Sequence, residues 1–347
     1  MANFKTTWKL IALGYLALGP TVLLADDGLW RRYTEAGEKA LRQGNPGEAE
    51  EQFKAALKEA EGFRPPDPRL AINLSRLAQL YYGQGKYTQA ESFYWRALHI
   101  REKTLGPIHP SLATTLNDLA LLCQAEHRFG EAERLFLRAL SIWEKAQGKE
   151  SVDAATGLSN LAVLYRETGQ SARAEECYRQ ALVLMEKAWG AEHPNVATCL
   201  NNMGVFYGSQ GRYGLAEPLM LRSLSIREKS LGAEHPQVAT SLNNLATLYY
   251  FQRRYAQAEP LFRQAIAIQE KGAGANHPRV AQTLKNYAAL LRQTKRKAEA
   301  KNLLTQADAI MAKHIPEGRG GQTVHLRSLL KSRDQAPIDL PQWVLKE

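Results

Sequence analysis

The sequence predicts an all-α fold: a right-handed superhelical solenoid of about seven antiparallel helix hairpins. Three observations carry that expectation. His-Pro recurs at His109-Pro110, His193-Pro194, His235-Pro236 and His277-Pro278; the last three lie 42 residues apart, and the first gap is twice that. Small and bulky residues keep the same period in parallel columns. No stretch sustains the period-two alternation of a strand.

The proline opens the first helix of each unit, where its missing N–H has no intrahelical partner anyway. The copy missing from the His-Pro series falls at Ser151-Val152, and the flanking Ala155-Thr156 still matches Ala197-Thr198 and Ala239-Thr240. One step earlier, Asp67-Pro68 keeps only the proline. Tyr81, Cys123, Tyr165, Tyr207, Tyr249 and Leu291 form a column in the first helices. The turn follows, with glycine at Gly85, Gly169 and Gly211 and an aromatic two residues on at Tyr87, Tyr213 and Tyr255. The second helix presents alanine, a bulky residue four later and a small residue three after that, as in Ala174, Tyr178 and Ala181. Those three share one helical face, where alanine permits close approach of two backbones. Hairpins are expected at about 29–62, 68–105, 110–147, 152–189, 194–231, 236–272 and 278–314. The first and last diverge, as caps facing water on one side do.

Leu242-Asn243-Asn244-Leu245-Ala246-Thr247-Leu248-Tyr249, then Tyr255, Ala258-Glu259-Pro260-Leu261 and the link Leu231-Gly232-Ala233-Glu234-His235-Pro236 resemble the tetratricopeptide repeat, in a 42-residue form similar to the kinesin light chain repeats. The pattern runs from about Pro68 to Met311. The resemblance implies a protein-interaction scaffold, with a partner peptide in the groove lined by the first helices. It is specific for fold and much less so for function.

At about 100° per residue, Thr198, Asn201, Val205 and Gly208 lie together beside the core face. Peptide-binding members of the family use these positions. Asn117, Asn201 and Asn243 recur in one such column, with Ser75, Ser159 and Lys285 completing it. Asn160, Asn202, Asn244 and Asn286 recur one step round. Asparagine is a poor interior helix residue, so its recurrence needs a reason. Either the amides bond the backbone of a bound peptide, or they bond neighbouring helices. A third column, Tyr82, Gln124, Arg166, Gly208, Tyr250 and Arg292, varies along the array and would set specificity. The expected partner-binding set is therefore Asn117, Asn201, Asn243, Tyr82, Arg166, Tyr250, Lys285 and Arg292. Its cations favour an acidic or C-terminal partner segment with an apolar anchor. The family resemblance leans the same way, since kinesin light chains accept tryptophan-containing acidic peptides.

The 347-residue chain carries a formal charge of +10, most of it between Lys285 and Arg333. A basic end module suits an acidic protein, an anionic surface or nucleic acid, or simply a solvated cap. Nucleic acid is disfavoured, because no base-stacking aromatics interleave with the charges. Residues 1–25 have the layout of a secretory signal, with Lys5 and Lys9 before an apolar run from Leu10 to Ala25. A cleaved signal would make the protein exported, periplasmic or secreted; an uncleaved one would anchor it by residues 10–25. Residues 315–347 read as a basic tail with a short capping helix near Gln322–Ser332 and Trp343 as a docking side chain.

No catalytic or cofactor motif is legible, so an enzyme is not expected and neither cofactor nor metal is assigned. The His-Pro histidines sit in separate loops, too far apart for one metal shell. Cys123 and Cys177 read as buried hydrophobes. Cys177 and Cys199 flank one loop, and an oxidising compartment leaves a pairing open. Two roles rival partner binding: a self-assembling component of an envelope complex, and nucleic-acid or surface binding through the basic end.

Overall fold

The computed structural model describes residues 27–63 and 67–313. The expected signal or anchor segment and the basic tail lie outside the described residues. Fourteen helices and no strand are found among the described residues. The chain divides into two compact units, at Ala146 and Gln147.

The first unit holds α1 (Asp27–Arg42), α2 (Pro46–Glu61), α3 (Pro68–Gly83), α4 (Tyr87–Leu105), α5 (Pro110–Ala125) and α6 (Phe129–Gln147), which ends at the boundary. The second holds α7 (Val152–Glu167), α8 (Ser171–Trp189), α9 (Pro194–Ser209), α10 (Tyr213–Leu231), α11 (Pro236–Phe251), α12 (Tyr255–Ala273), α13 (Pro278–Gln293) and α14 (Lys297–Ala312). Odd-numbered helices are the first of each repeat, and even-numbered ones the second. Among the described residues, none of these helices is long and apolar enough to cross a membrane.

The alanine columns are the contact faces. Ala90, Ala132, Ala174, Ala216, Ala258 and Ala300 are all fully buried, as are Ala49, Phe53 and Ala56 in the first hairpin. Ser223 takes an alanine place in α10, and its hydroxyl is satisfied by donating to the Ala197 carbonyl at 2.6 Å. The turn column needs a left-handed backbone. Glycine supplies it at Gly85, Gly169 and Gly211, and His127, Arg253 and Lys295 adopt it at φ 58–64° where glycine is missing.

The His-Pro histidines have a structural duty. Nδ1 of His109, His193, His235 and His277 accepts the backbone N–H two residues on, at 3.1–3.2 Å. Each is thus a side-chain N-cap, and Asp67 and Ser151 cap their own helices at the same place in the repeat. This explains why the column tolerates His, Asp and Ser but keeps an acceptor. The three cysteines are free thiols, with Cys123 and Cys199 buried and Cys177 partly so.

Polar joints lock successive repeats together. In the second unit, Tyr207 donates to Glu175 at 3.0 Å and Tyr249 to Glu217 at 3.0 Å; Arg212 and Arg254 complete the two clusters. At the last joint the tyrosine column has become Leu291. Tyr287, one helical turn earlier, donates to Glu259 at 2.7 Å instead. Burial opposes ionisation of Glu259, but hydrogen bonds from Arg296, Tyr287 and Arg263 outweigh it and hold the carboxyl at about 2. An unfolded glutamate titrates near ~4.3, so this carboxylate stabilises the fold above that pH and ceases to as pH falls toward 2. Glu259→Gln should therefore cost about 1 kcal/mol in urea melts at pH 7 and much less at pH 3. An equal cost at both values would show that ionisation is irrelevant to the joint.

Candidate partner-binding site

Within the second unit, the first helices of successive repeats touch, and their asparagines meet across the contact. Gln282 donates to Asn286 Oδ1 at 3.3 Å, and Asn286 Nδ2 to Asn243 Oδ1 at 3.1 Å. Asn243 donates to Asn244 at 3.5 Å, Asn244 to Asn201 at 3.1 Å, and Asn201 to Asn202 at 3.5 Å. Every step runs in the same direction across α13, α11 and α9. The relay engages each receiving carbonyl while leaving a second hydrogen on each asparagine nitrogen. The wall is therefore rich in donors.

Arg227 on α10 stands behind that wall. Its side chain is 4% exposed. Nη1 donates to Ser241 Oγ at 2.7 Å and to the Gln237 carbonyl at 3.2 Å, and Nη2 donates to the exposed Thr198 hydroxyl at 3.2 Å. Nε has no hydrogen-bond partner. All three bonds go to neutral groups, and burial lowers the pKa of the guanidinium without a carboxylate to restore it. The equivalent residue in the first unit, Arg101, bonds Ser75 and Thr115 and also lies in the field of Asp118, which raises its pKa against burial. The residue matching Asp118 beside Arg227 is Asn244. The same arginine frame thus has a carboxyl nearby in one unit, itself pushed toward its neutral form by burial, and an amide in the other. Nε–H lies on the side-on edge of the guanidinium, the edge that pairs bidentately with a carboxylate.

Six of the eight sequence-predicted residues fall in the second unit. Asn201 is buried at 5% exposure and Asn243 is half-buried, and both belong to the relay. Lys285 lies on α13 beside Asn286 and reaches Asp308 of α14 at 3.6 Å. Tyr250 packs at 5.9 Å from the Tyr255 ring, near the last turn of α11. Arg292, also near a helix end, is exposed. Arg166 pairs with Glu167 at 3.3 Å, and its Nε is buried without a hydrogen-bond partner. The relay brings Asn201 and Asn243 together, whereas Arg166, Tyr250 and Arg292 sit toward the far ends of their helices. In the first unit, Asn117 is buried and hydrogen-bonds Asp118, and Tyr82 packs on Tyr87 at 5.8 Å. Sequence reasoning missed Arg227, because Arg227-Glu228-Lys229 reads as a solvated helix end. Its own column held the signal: Trp143 and Met185 occupy the same place and are buried.

The tetratricopeptide repeat profile matches residues 32–103, 69–145, 111–187, 153–219 and 195–271. No curated protein matches the chain significantly. Among solved structures, BtubC (BKLC) from P. vanneervenii is 26% identical, with 72% of this chain and 94% of that chain covered and a TM-score of 0.52. A substituted form of the nearly identical repeats of a putative kinesin light chain from Podosopora anserina is 28% identical, covering 59% and 97% at a TM-score of 0.50. A Rap protein complexed with competence and sporulation factor is 14% identical, covering 88% and 80% at a TM-score of 0.63, and shows the fold alone.

The cost of burying a cation without a counter-ion offsets what its three neutral hydrogen bonds return, so Arg227→Met should leave stability within about 2 kcal/mol of wild type in denaturant melts. Met185 already fills the equivalent place. A loss of more than about 3 kcal/mol would mean that Arg227 is a structural strut.

Proposed function

Because the chain belongs to the tetratricopeptide repeat family, we propose that it is a non-catalytic scaffold holding an extended acidic segment of a partner protein across α9, α11 and α13. The family supplies the general role, since its repeats build interaction surfaces rather than catalytic centres. The observation that carries the finer reading is Arg227, whose frame lacks the acid that Asp118 gives Arg101. A partner carboxylate seated over the exposed Thr198, whose hydroxyl Nη2 of Arg227 engages, supplies that acid to the cation beneath. The relay amides donate their remaining hydrogens to backbone carbonyls, which fixes an extended chain without demanding a sequence. Tyr250 and Arg292 meet the segment toward the far ends of their helices, and Lys285 adds positive charge beside the relay. The chain would do this work outside the cytoplasm if residues 1–25 act as a signal.

The test is a fluorescent peptide library sorted by charge, titrated against wild type and Arg227→Met. Acidic peptides should be selected, and the variant should bind them about 10–100-fold more weakly, the loss of a charge-assisted hydrogen bond worth ~1.5–3 kcal/mol. Selection of basic peptides, or equal affinity for both proteins, would overturn the reading.

A further inference from the structure

One joint of the first unit departs from the pattern of the others. Where Tyr207 and Tyr249 each bring a phenol to one glutamate and one arginine, the corresponding place on α5 holds Cys123. The arginine there, Arg128, faces three carboxylates: Glu91 of α4 at 2.9 Å, Glu126 of the turn at 2.9 Å and Glu131 of α6 at 2.7 Å. One guanidinium cannot neutralise three carboxylates, so this joint keeps an excess of negative charge. The Cys123 side chain is fully buried and unpaired, and its Sγ and a carboxylate oxygen each from Glu91 and Glu131 all lie within 4.8 Å of one another. A buried thiol outside any disulfide thus lies beside a surplus of acid.

We propose that Glu91, Cys123 and Glu131 form a site for one divalent cation of borderline softness, of which Zn2+ is the biological example. Two carboxylate oxygens and one sulfur suit such an ion and would leave a fourth position for water. With bonds of about 2.0–2.3 Å, the ligand atoms would draw to about 3.5 Å apart. Arg128 need not be lost. It turns wholly to Glu126, leaving Glu91 and Glu131 to the metal. Its ion pairs are about a third exposed, with the Arg128 side chain at 35%, and such pairs cost little to exchange. Burial pushes the Cys123 thiol up to about 11, so at neutral pH binding releases one proton: the S–H bond breaks, the S–metal bond forms and the proton leaves to solvent. The bound ion would tie α4 to α5 and α6 in the place where the other joints use a phenol.

The test titrates the full chain, stripped with chelator, with Co2+ and then Zn2+. A thiolate-to-cobalt charge-transfer band should appear and be removed by Zn2+. Cys123→Ser should abolish it. Cys123→Tyr, which restores the tyrosine of the column, should also abolish it while keeping the helical circular dichroism, so that misfolding is ruled out. Glu91→Gln, which removes a ligand, should weaken binding by about 100-fold, whereas Glu126→Gln, which removes only the carboxylate that Arg128 turns to, should weaken it less and keep the band at saturating Co2+. No band in the wild type would overturn the proposal. So would a band that survives Cys123→Ser, which would place the metal on Cys177 or Cys199, or a loss with Glu126→Gln as large as that with Glu91→Gln.

Discussion

The close approach of alanine faces is the constraint on which the rest depends. Ala174 and Ala181 on α8, Ala216 on α10, and Ala258 and Ala265 on α12 are all fully buried. A larger side chain at any of these places would force the two helices of a hairpin apart. Their spacing sets the thickness of each repeat, and that thickness sets how near the next first helix can come. In the second unit this leaves α9, α11 and α13 near enough for amide-to-amide bonds at 3.1 Å. The donor-rich wall is thus a consequence of small residues on the second helices packed behind it.

Polar groups then do what apolar packing cannot, which is fix register. In the second unit the glutamate–tyrosine–arginine joints bind second helix to next first helix. Their chemistry is kept even when the residue moves, since Tyr287 reaches Glu259 after Leu291 has taken the tyrosine place. Histidine, aspartate and serine are interchangeable at the N-cap for the same reason: the helix needs an acceptor there, and any of the three provides one. Against this background Arg227 and Cys123 stand out, because each keeps a shared frame while lacking the partner that completes it elsewhere.

The repeat was legible in the sequence because a 42-residue period repeats the same burial at every column. The first-helix prolines, the turn glycines and the alanine faces follow from that alone. The asparagine columns were legible as anomalies, but their partners were not. An amide at Asn243 could reach a ligand, its neighbour Asn244 or the next helix, and the choice depends on the rotation between repeats, which a linear pattern does not specify. Arg227 was hidden by its charged neighbours, the half-buried Glu228 and the exposed Lys229. Only alignment with Trp143 and Met185 marks its position as interior. The histidines were placed correctly at helix entry, while their role as acceptors needed the ring orientation.

The central claim is that a partner docks on the first-helix wall of the second unit and not on the second helices. A photo-crosslinking side chain at Thr198, exposed beside Arg227, and another at Leu221, exposed on α10, would decide it in extract. Docking on the wall predicts crosslinks from Thr198 to an aspartate- or glutamate-rich segment of one protein and none to it from Leu221. Crosslinks to the partner from Leu221 alone would contradict it and place recognition on the opposite helices.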